Sequence, residues 1–555
     1  MKPDRIRKRL LNHNPLASVA AADPWTLQRV DVAEINRLPF EGVSRLLAQL
    51  ARTPSEPLAA LILGEVGTGK SHLAARLRLA CQTGKRPAAF ALITPPENGI
   101  APFGYLLREI STALHHPLDE KNATPWRHLA NRLLPGVPAA RKWKQLRNAS
   151  FLERMPPMTH ELVELIVRRL PGSAVERRAA LSWLRGEIRA FADLPARFDR
   201  SGMTTEAMED QARALLIALG ALLAQVRMPF LICWDRLEDL RSPDQHAAMD
   251  LLLTFLVDRM EATLPVLFAR GQFWEELRQQ HWNAQTVGRM ESNRFEMTGC
   301  ARSEAEALVR SRLESVLGPE GMAGLLFDPA TLLARLPPGR NTPRVVLTLA
   351  NRCLQEQLDL PLVPPEDPLT RLTATWETML HHARNLHDQP MRPERLAQVL
   401  RLYLFGEALP REGEEIGTIE LPAADNQPAR LWLIETQFHP KAIFHRFEQG
   451  VEWLQHHPEG QVTLVRDGRY PLPRLPKWPE TNRMLQRFLE RGGRLLSLAP
   501  ERVLRWHTLG ALHDAVRCGE ITWTDGQQRP QPVPLPVLVD FLRNHCASES
   551  GGGTE

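Results

Sequence analysis

"LILGEVGTGKSH", residues 61–72, runs from apolar residues into a glycine-rich turn and ends on a lysine and a serine. Gly64, Gly69, Lys70 and Ser71 satisfy the pattern G-x-x-x-x-G-K-[ST] without a mismatch, and Gly67 adds a further flexible position. The context is the one this motif needs. "LAALIL" (58–63) reads as a buried strand, and "KSHLAARLRLAC" (70–81) has the apolar spacing of a helix. A turn of this kind aims backbone N–H groups at phosphate oxygens, and the helix that follows adds its positive end. Gly64, Glu65, Val66, Gly67, Thr68, Gly69, Lys70, Ser71 and His72 are therefore the candidate phosphate-binding segment, with ATP and Mg²⁺ as the expected ligands. Within it Lys70 is placed to reach the β- and γ-phosphates, and Ser71 to hold Mg²⁺.

A cation at Ser71 needs a second oxygen ligand from a neighbouring strand. "MPFLICWDRLEDL" (228–240) offers one, because the five apolar residues Phe230–Trp234 end at Asp235. Arg236 stands directly after it, and the next carboxylates are Glu238 and Asp239. Glu238 is the candidate to orient and deprotonate the attacking water. The alternative is a charge at a helix start, and Asp239 competes for the same role.

These segments resemble the AAA+ and STAND branch of P-loop ATPases, in particular Orc/Cdc6-like proteins and ATP-binding components of bacterial mobile-element and anti-phage systems. The resemblance is carried by "GEVGTGKSHLAARL", "FLICWDRLEDL", "LPVLFARGQFWEEL" and "NTPRVVLTLANR", and spans roughly residues 30–360. It implies an α/β P-loop NTPase core of AAA+-like type with a helical insertion and a helical lid. It also implies a polar sensor after the third core strand, nearest Arg270 or Gln272, and a lid arginine near the γ-phosphate at Arg344. Pro343 suits the first turn of that lid helix. Arg289 and Arg294, in "GRMESNRFEM", are candidate fingers offered to a neighbouring subunit.

The rest of the 555 residues allows several domains. Residues 1–50 read as an N-terminal helical segment and 51–300 as the ATPase core, with a helical insertion at 118–205. Trp183 in that insertion reads as core. Residues 301–392 read as lid and connector, opening with a capping box of Ser303 and Glu306. From 393 to 545 strand and helix alternate, which predicts a smaller C-terminal α/β domain, and 546–555 has the composition of a disordered tail. In the C-terminal domain Arg466, Arg469, Arg474, Lys477 and Arg483 are interleaved with Tyr470 and Trp478, a mix that phosphate contact and stacking use. A solvated polar face is the competing reading.

Composition narrows the function. The six cysteines lie far apart with no CxxC pair, which argues against zinc and against a disulfide framework and fits a reducing cytoplasm. No stretch approaches the length of a membrane span. The net charge of +5 is mild for this length. The expectation is a regulatory ATPase that couples its nucleotide state to DNA or to a partner protein in a multi-component bacterial defence or mobile-element system, with a homo-oligomer allowed. The alternatives are a replication-initiator or helicase-loader ATPase, an ADP-holding signalling switch, and an ATP-driven nuclease. The nuclease reading is poorly served. Gln437 stands where a lysine should follow Glu435 by two residues, Lys441 lies too far along, and Arg446 replaces the aspartate expected after His439.

Overall fold

The apolar run after Pro57 enters a sheet as β1 (Ala60–Leu63), every residue of it buried. A computed structural model describes residues 3–12, 14–16, 31–83, 88–96, 99, 101–116, 124–137, 139–147, 149–186, 194–200, 203–240, 242–323, 332, 334–358, 367–383, 396–401, 417–423, 428–435, 440–468, 478–517, 521–524 and 530–547. The chain divides into two compact units. The first comprises Met1–Gly186, Phe191–Phe198 and Met203–Val363; the second comprises Glu187–Ala190, Asp199–Gly202 and Pro364–Glu555.

In the first unit β1 is joined by β2 (Ala89–Ile93), β3 (Phe230–Trp234), β4 (Thr263–Ala269) and β5 (Arg294–Glu296). All pairings are parallel, in the order β2-β3-β4-β1-β5. Parallel strands need crossovers, and the helices that make them cover both faces, so the strands read as continuous apolar runs. Alternation along β1 divides the layers. Ala60 and Ile62 face Val43, Leu46, Leu73 and Leu77 on the helices Arg37–Leu50 and Lys70–Thr83. Leu61 and Leu63 face the helices Pro102–Ala113, Thr205–Gln225 and Pro243–Asp258. This strand order, with a glycine-rich turn after β1, is the AAA+-like α/β P-loop fold expected from the sequence.

The insertion is helical where it is described: Pro125–Leu133, Ala139–Leu146, Thr159–Glu164 continuing as a π-helical turn Leu165–Arg169, and Ala174–Leu184. Trp183 is fully buried in it; its indole N–H donates to Phe198 O at 2.9 Å. A separate core joins the N-terminal residues Ile6, Leu10, Val32 and Ile35 to Val309 and Leu313 of the helix Arg302–Ala323, and to Val346 and Ala350 of the helix Pro343–Gln357. The capping box expected at Ser303 and Glu306 is not formed. The helix starts earlier, and the Glu304 carboxylate accepts from Ala301 N at 2.6 Å while Glu306 pairs with Arg310. Glu304 is the third residue of the helix, and its carboxylate reaches back to the N–H of Ala301 just before the helix start.

The second unit holds a four-stranded sheet in the order β6-β7-β8-β9: β6 (Thr418–Leu421), β7 (Arg430–Glu435), β8 (Gln461–Asp467) and β9 (Arg494–Leu498). β6 is antiparallel and the others parallel, with the helices Pro440–His456 and Pro479–Glu490 as crossovers. The helix Pro368–Ala383 packs in this unit through Leu372, Trp376 and Leu380, against Trp506, Leu509 and Phe541. The helix Leu535–Ala547 extends two residues into the expected tail. Arg466, expected in a basic surface patch, is buried at the end of β8 beside Asp467 and opposite Glu435 in register. At this end of β8 Arg466, Asp467 and Glu435 are all buried, so Arg466 is part of an internal charge cluster, with Arg446 Nε 3.9 Å from Glu435 Oε2. Arg483 and Trp478 are described; Arg469, Tyr470, Arg474, Lys477, Gln437 and His439 lie outside the described residues, as does the Lys441 side chain.

Candidate nucleotide site

Carboxyl ends of parallel strands are where α/β sheets bind ligands, and the ends of β1, β4 and β3 bring the candidate residues together here. The turn after β1 is held from both sides. Gly64 N donates to Ala269 O at 3.0 Å, and Thr68 donates from N and Oγ1 to Glu65 O at 3.3 and 2.7 Å. Gly67 and Gly69 have φ of +83° and +99°, a region that costs an L-residue about 1–2 kcal/mol. Val66 is exposed at the crest, while Thr68 is buried.

Lys70 opens the helix and folds its ammonium back over the turn, donating to Gly64 O at 2.6 Å and to Glu65 O at 3.4 Å. Burial lowers its pKa below the ordinary 10.5; Glu238, Asp235 and Glu65 oppose the shift and Arg270 adds to it. Two cations and three carboxylates therefore share one small volume. Ser71 Oγ donates to Asp235 Oδ2 at 3.4 Å, across the 164 residues that separate them. Asp235 is anchored by its N–H to Ile93 O at 3.0 Å, and its Oδ1 accepts from Arg236 N at 2.9 Å. Arg236 takes a left-handed conformation (φ 60°), which turns the chain into the short 3₁₀ helix Leu237–Asp239. That turn brings Glu238 Oε1 within 3.1 Å of Arg270 Nε at the end of β4.

The oxygen pair of Ser71 and Asp235 fits Mg²⁺, which takes one or two protein ligands and completes its shell with water and phosphate. Among the described residues no group of three or more His, Cys, Asp or Glu side chains could hold a metal alone. The turn with its left-handed glycines and desolvated lysine fits a polyphosphate.

The lid meets the turn directly. Thr342 caps the helix Pro343–Gln357 by accepting from Val345 N, and Arg344 in its first turn donates its backbone N–H to Gly67 O at 3.4 Å. The side chain lies against the same glycine: a Cβ on Gly67 would sit 2.8 Å from Arg344 Cβ. From the N-terminal side Asn36, in a left-handed conformation before the helix Arg37–Leu50, donates from Nδ2 to Thr68 O at 3.0 Å. His72 Nε2 lies 3.9 Å from Asp31, which also takes Arg76 at 3.0 Å. Sequence reasoning did not single out Asn36. Its only local signal is an asparagine before a helical run, a residue type that tolerates φ > 0.

The two finger candidates are engaged within the chain. Arg289 pairs with Asp258, and Arg294 on β5 pairs with Glu296 at 3.0 Å. The described cysteines Cys81, Cys233, Cys300 and Cys353 are free and buried, and burial pushes the Cys81 and Cys300 thiols up to about 12.

No family model matches the chain, and no curated protein matches it. Among solved structures it is similar to Cdc6p from Pyrobaculum aerophilum, at TM-score 0.33 and 12% identity, covering 95% of this chain and 100% of that chain. It is also similar to the Orc2 protein of Aeropyrum pernix in its ADPNP–ADP complexes, at TM-score 0.33 and 12% identity, covering 71% and 77%. At these values neither likeness adds to the strand order and site geometry above. Among the described residues no helix is long and apolar enough to cross a membrane.

Proposed function

We propose that the chain binds ATP with Mg²⁺, hydrolyses it, and uses the nucleotide state to set its helical lid, acting as a regulatory ATPase on DNA or a partner protein. The observation that carries this reading is the convergence on one turn of Lys70, Asp235, Glu238, Arg270 and Arg344, from four separate parts of the chain. Lys70 exchanges its two carbonyl acceptors for phosphate oxygens at little cost in geometry, since both lie on the turn itself. Ser71 and Asp235 would hold Mg²⁺, which when bound neutralises and orients phosphate oxygens. Glu238, aligned by Arg270, accepts a proton from the attacking water. Arg344 reports the γ-phosphate to the lid, because its helix begins on the P-loop backbone.

The test is ATP hydrolysis by the wild type, Lys70→Ala and Glu238→Gln, each with and without duplex DNA. The reading expects turnover in the wild type, loss of nucleotide binding in Lys70→Ala, and retained binding without turnover in Glu238→Gln. A wild type that retains ADP through purification and never turns over is instead a signalling switch. Full turnover in Glu238→Gln removes that residue from the mechanism.

A further inference from the structure

From Asn122 to Leu152 the chain contains no aspartate or glutamate, yet it carries Arg127, Arg132, Arg141, Lys142, Lys144 and Arg147. This lies in the helical insertion, outside the nucleotide site, in a chain whose overall charge is only +5. It folds into the helices Pro125–Leu133 and Ala139–Leu146. Lys142 is turned inward and joins them: its Nζ donates to Ala130 O at 3.1 Å and to Asn131 Oδ1 at 2.9 Å. Trp126, Leu129, Leu133 and Leu146 fill the core beneath.

What remains outward is cationic. Arg127, Arg141, Lys144 and Arg147 are exposed, and none of the four forms an ion pair with a described residue. Trp143, half-buried between them, sets its ring edge-on to the exposed His160 at 5.1 Å. The carboxylates that follow in the chain are few: Glu153 is exposed, Glu161 half-buried, and Glu164 is buried and taken by Arg168, Arg169 and Arg197. Surface charge that serves solubility mixes signs; this face does not.

We propose that this two-helix face of the insertion docks the phosphate backbone of duplex DNA without reading its sequence. From Arg141 to Arg147 the chain rises about 9 Å at ~1.5 Å per residue. Measured along the duplex axis, where one strand places a phosphate every ~3.4 Å, that length covers roughly three phosphates. Two arginines and a lysine over that length match the ligand in charge, and Arg127 adds an exposed cation on the neighbouring helix. A membrane fits worse, because Trp126, Leu129, Leu133 and Leu146 are buried in the core and the half-buried Trp143 packs against it. The surface stands independently of the hydrolysis reading.

The test uses the full chain and a fluorescein-labelled duplex of arbitrary sequence, with binding followed by anisotropy across a salt series. Each phosphate contact contributes about 0.9 to the slope of log K against log salt. Joint replacement Arg127→Gln, Arg141→Gln, Lys144→Gln and Arg147→Gln is expected to reduce that slope by roughly three to four. The paired variants, Arg127→Gln with Arg141→Gln and Lys144→Gln with Arg147→Gln, each take about half of it, and carry the test if the fourfold variant does not fold. Arg→Lys at 127, 141 and 147 keeps the slope, as does Lys70→Ala, so loss of hydrolysis and loss of DNA binding are separable. The proposal is overturned by an unchanged slope in a folded glutamine variant. It is equally overturned by the same loss in the lysine variant, which would mark a packing role, or by tighter binding of poly-glutamate or phosphatidylserine vesicles than of the duplex.

Discussion

Replacing Gly67 by alanine tests whether the lid and the P-loop are mechanically one object. The residue has φ +83°, so any side chain introduces about 1–2 kcal/mol of backbone strain. The new Cβ also lies 2.8 Å from Arg344 Cβ, where carbon atoms rest at about 3.5 Å or more, so the two backbones must part by roughly 0.7 Å. Rotation of the arginine cannot relieve this, because a Cβ moves only with its helix. The strained turn relaxes in the free protein and must be restored on binding, so nucleotide affinity is expected to fall at least about 5- to 30-fold. Gly136 supplies the control: its φ is +75°, but nothing lies within 4 Å of an added Cβ. Gly136→Ala carries the same kind of strain without the collision, and should lower stability to denaturant while leaving affinity for a fluorescent ADP analogue unchanged. Wild-type affinity in Gly67→Ala, or an equal loss in Gly136→Ala, would refute the coupling of turn and lid.

Three further outcomes are expected. Lys70 has a pKa lowered below 10.5, chiefly by burial, and phosphate favours its charged form; nucleotide affinity should be full below the free-protein pKa and fall as pH rises through it. Calorimetric titration in buffers of different ionisation heat would show the matching proton uptake. Burial lowers the pKa of His246 below 6.5, helped by the ring of His281 stacked 4.0 Å away and opposed by Glu276. The unfolded chain then binds the proton more readily, so stability is complete above 6.5 and declines as pH falls below it. Urea unfolding of His246→Phe should show a flatter acid limb. Trp183→Ala, which empties a fully buried site and leaves Phe198 O without its donor, should cost about 3–5 kcal/mol in the same assay.

The core strands were legible because a parallel sheet covered on both faces writes itself as uninterrupted apolar runs, and "LAALIL", "FLICW" and "LPVLFA" are such runs. β5 is harder to see: Arg294 and Glu296 are exposed on this edge strand, so the three residues carry little apolar signal. Arg466 misled for the opposite reason. It stands where the apolar run of Leu464 and Val465 gives way to Asp467 and Gly468, and only the packing at that end of the interior strand β8 shows that it is buried. The P-loop and Asp235 could be named from local pattern, since each sits at a strand end. The meeting of Glu238 with Arg270 could not, because it depends on a left-handed Arg236 and on which strand separates β1 from β3. Nor does helical periodicity reveal that Arg344 rests on Gly67.

The place of β1 in the sheet also bears on how the chain is made. Its partners are β4 and β5, so Ala60 waits for Val266 and Leu61 for Arg294. Synthesis runs at about 5–20 residues per second, and those roughly 200 residues leave the strand unpaired for about 10–40 s. Through that interval an apolar strand edge is open to wrong partners. Pairings so distant also slow folding, because the loop must close before any contact rewards it. The proposed phosphate-binding segment therefore follows a strand made well before both of the strands that flank it. Newly made chains are most exposed to aggregation and chaperone capture before β5 arrives.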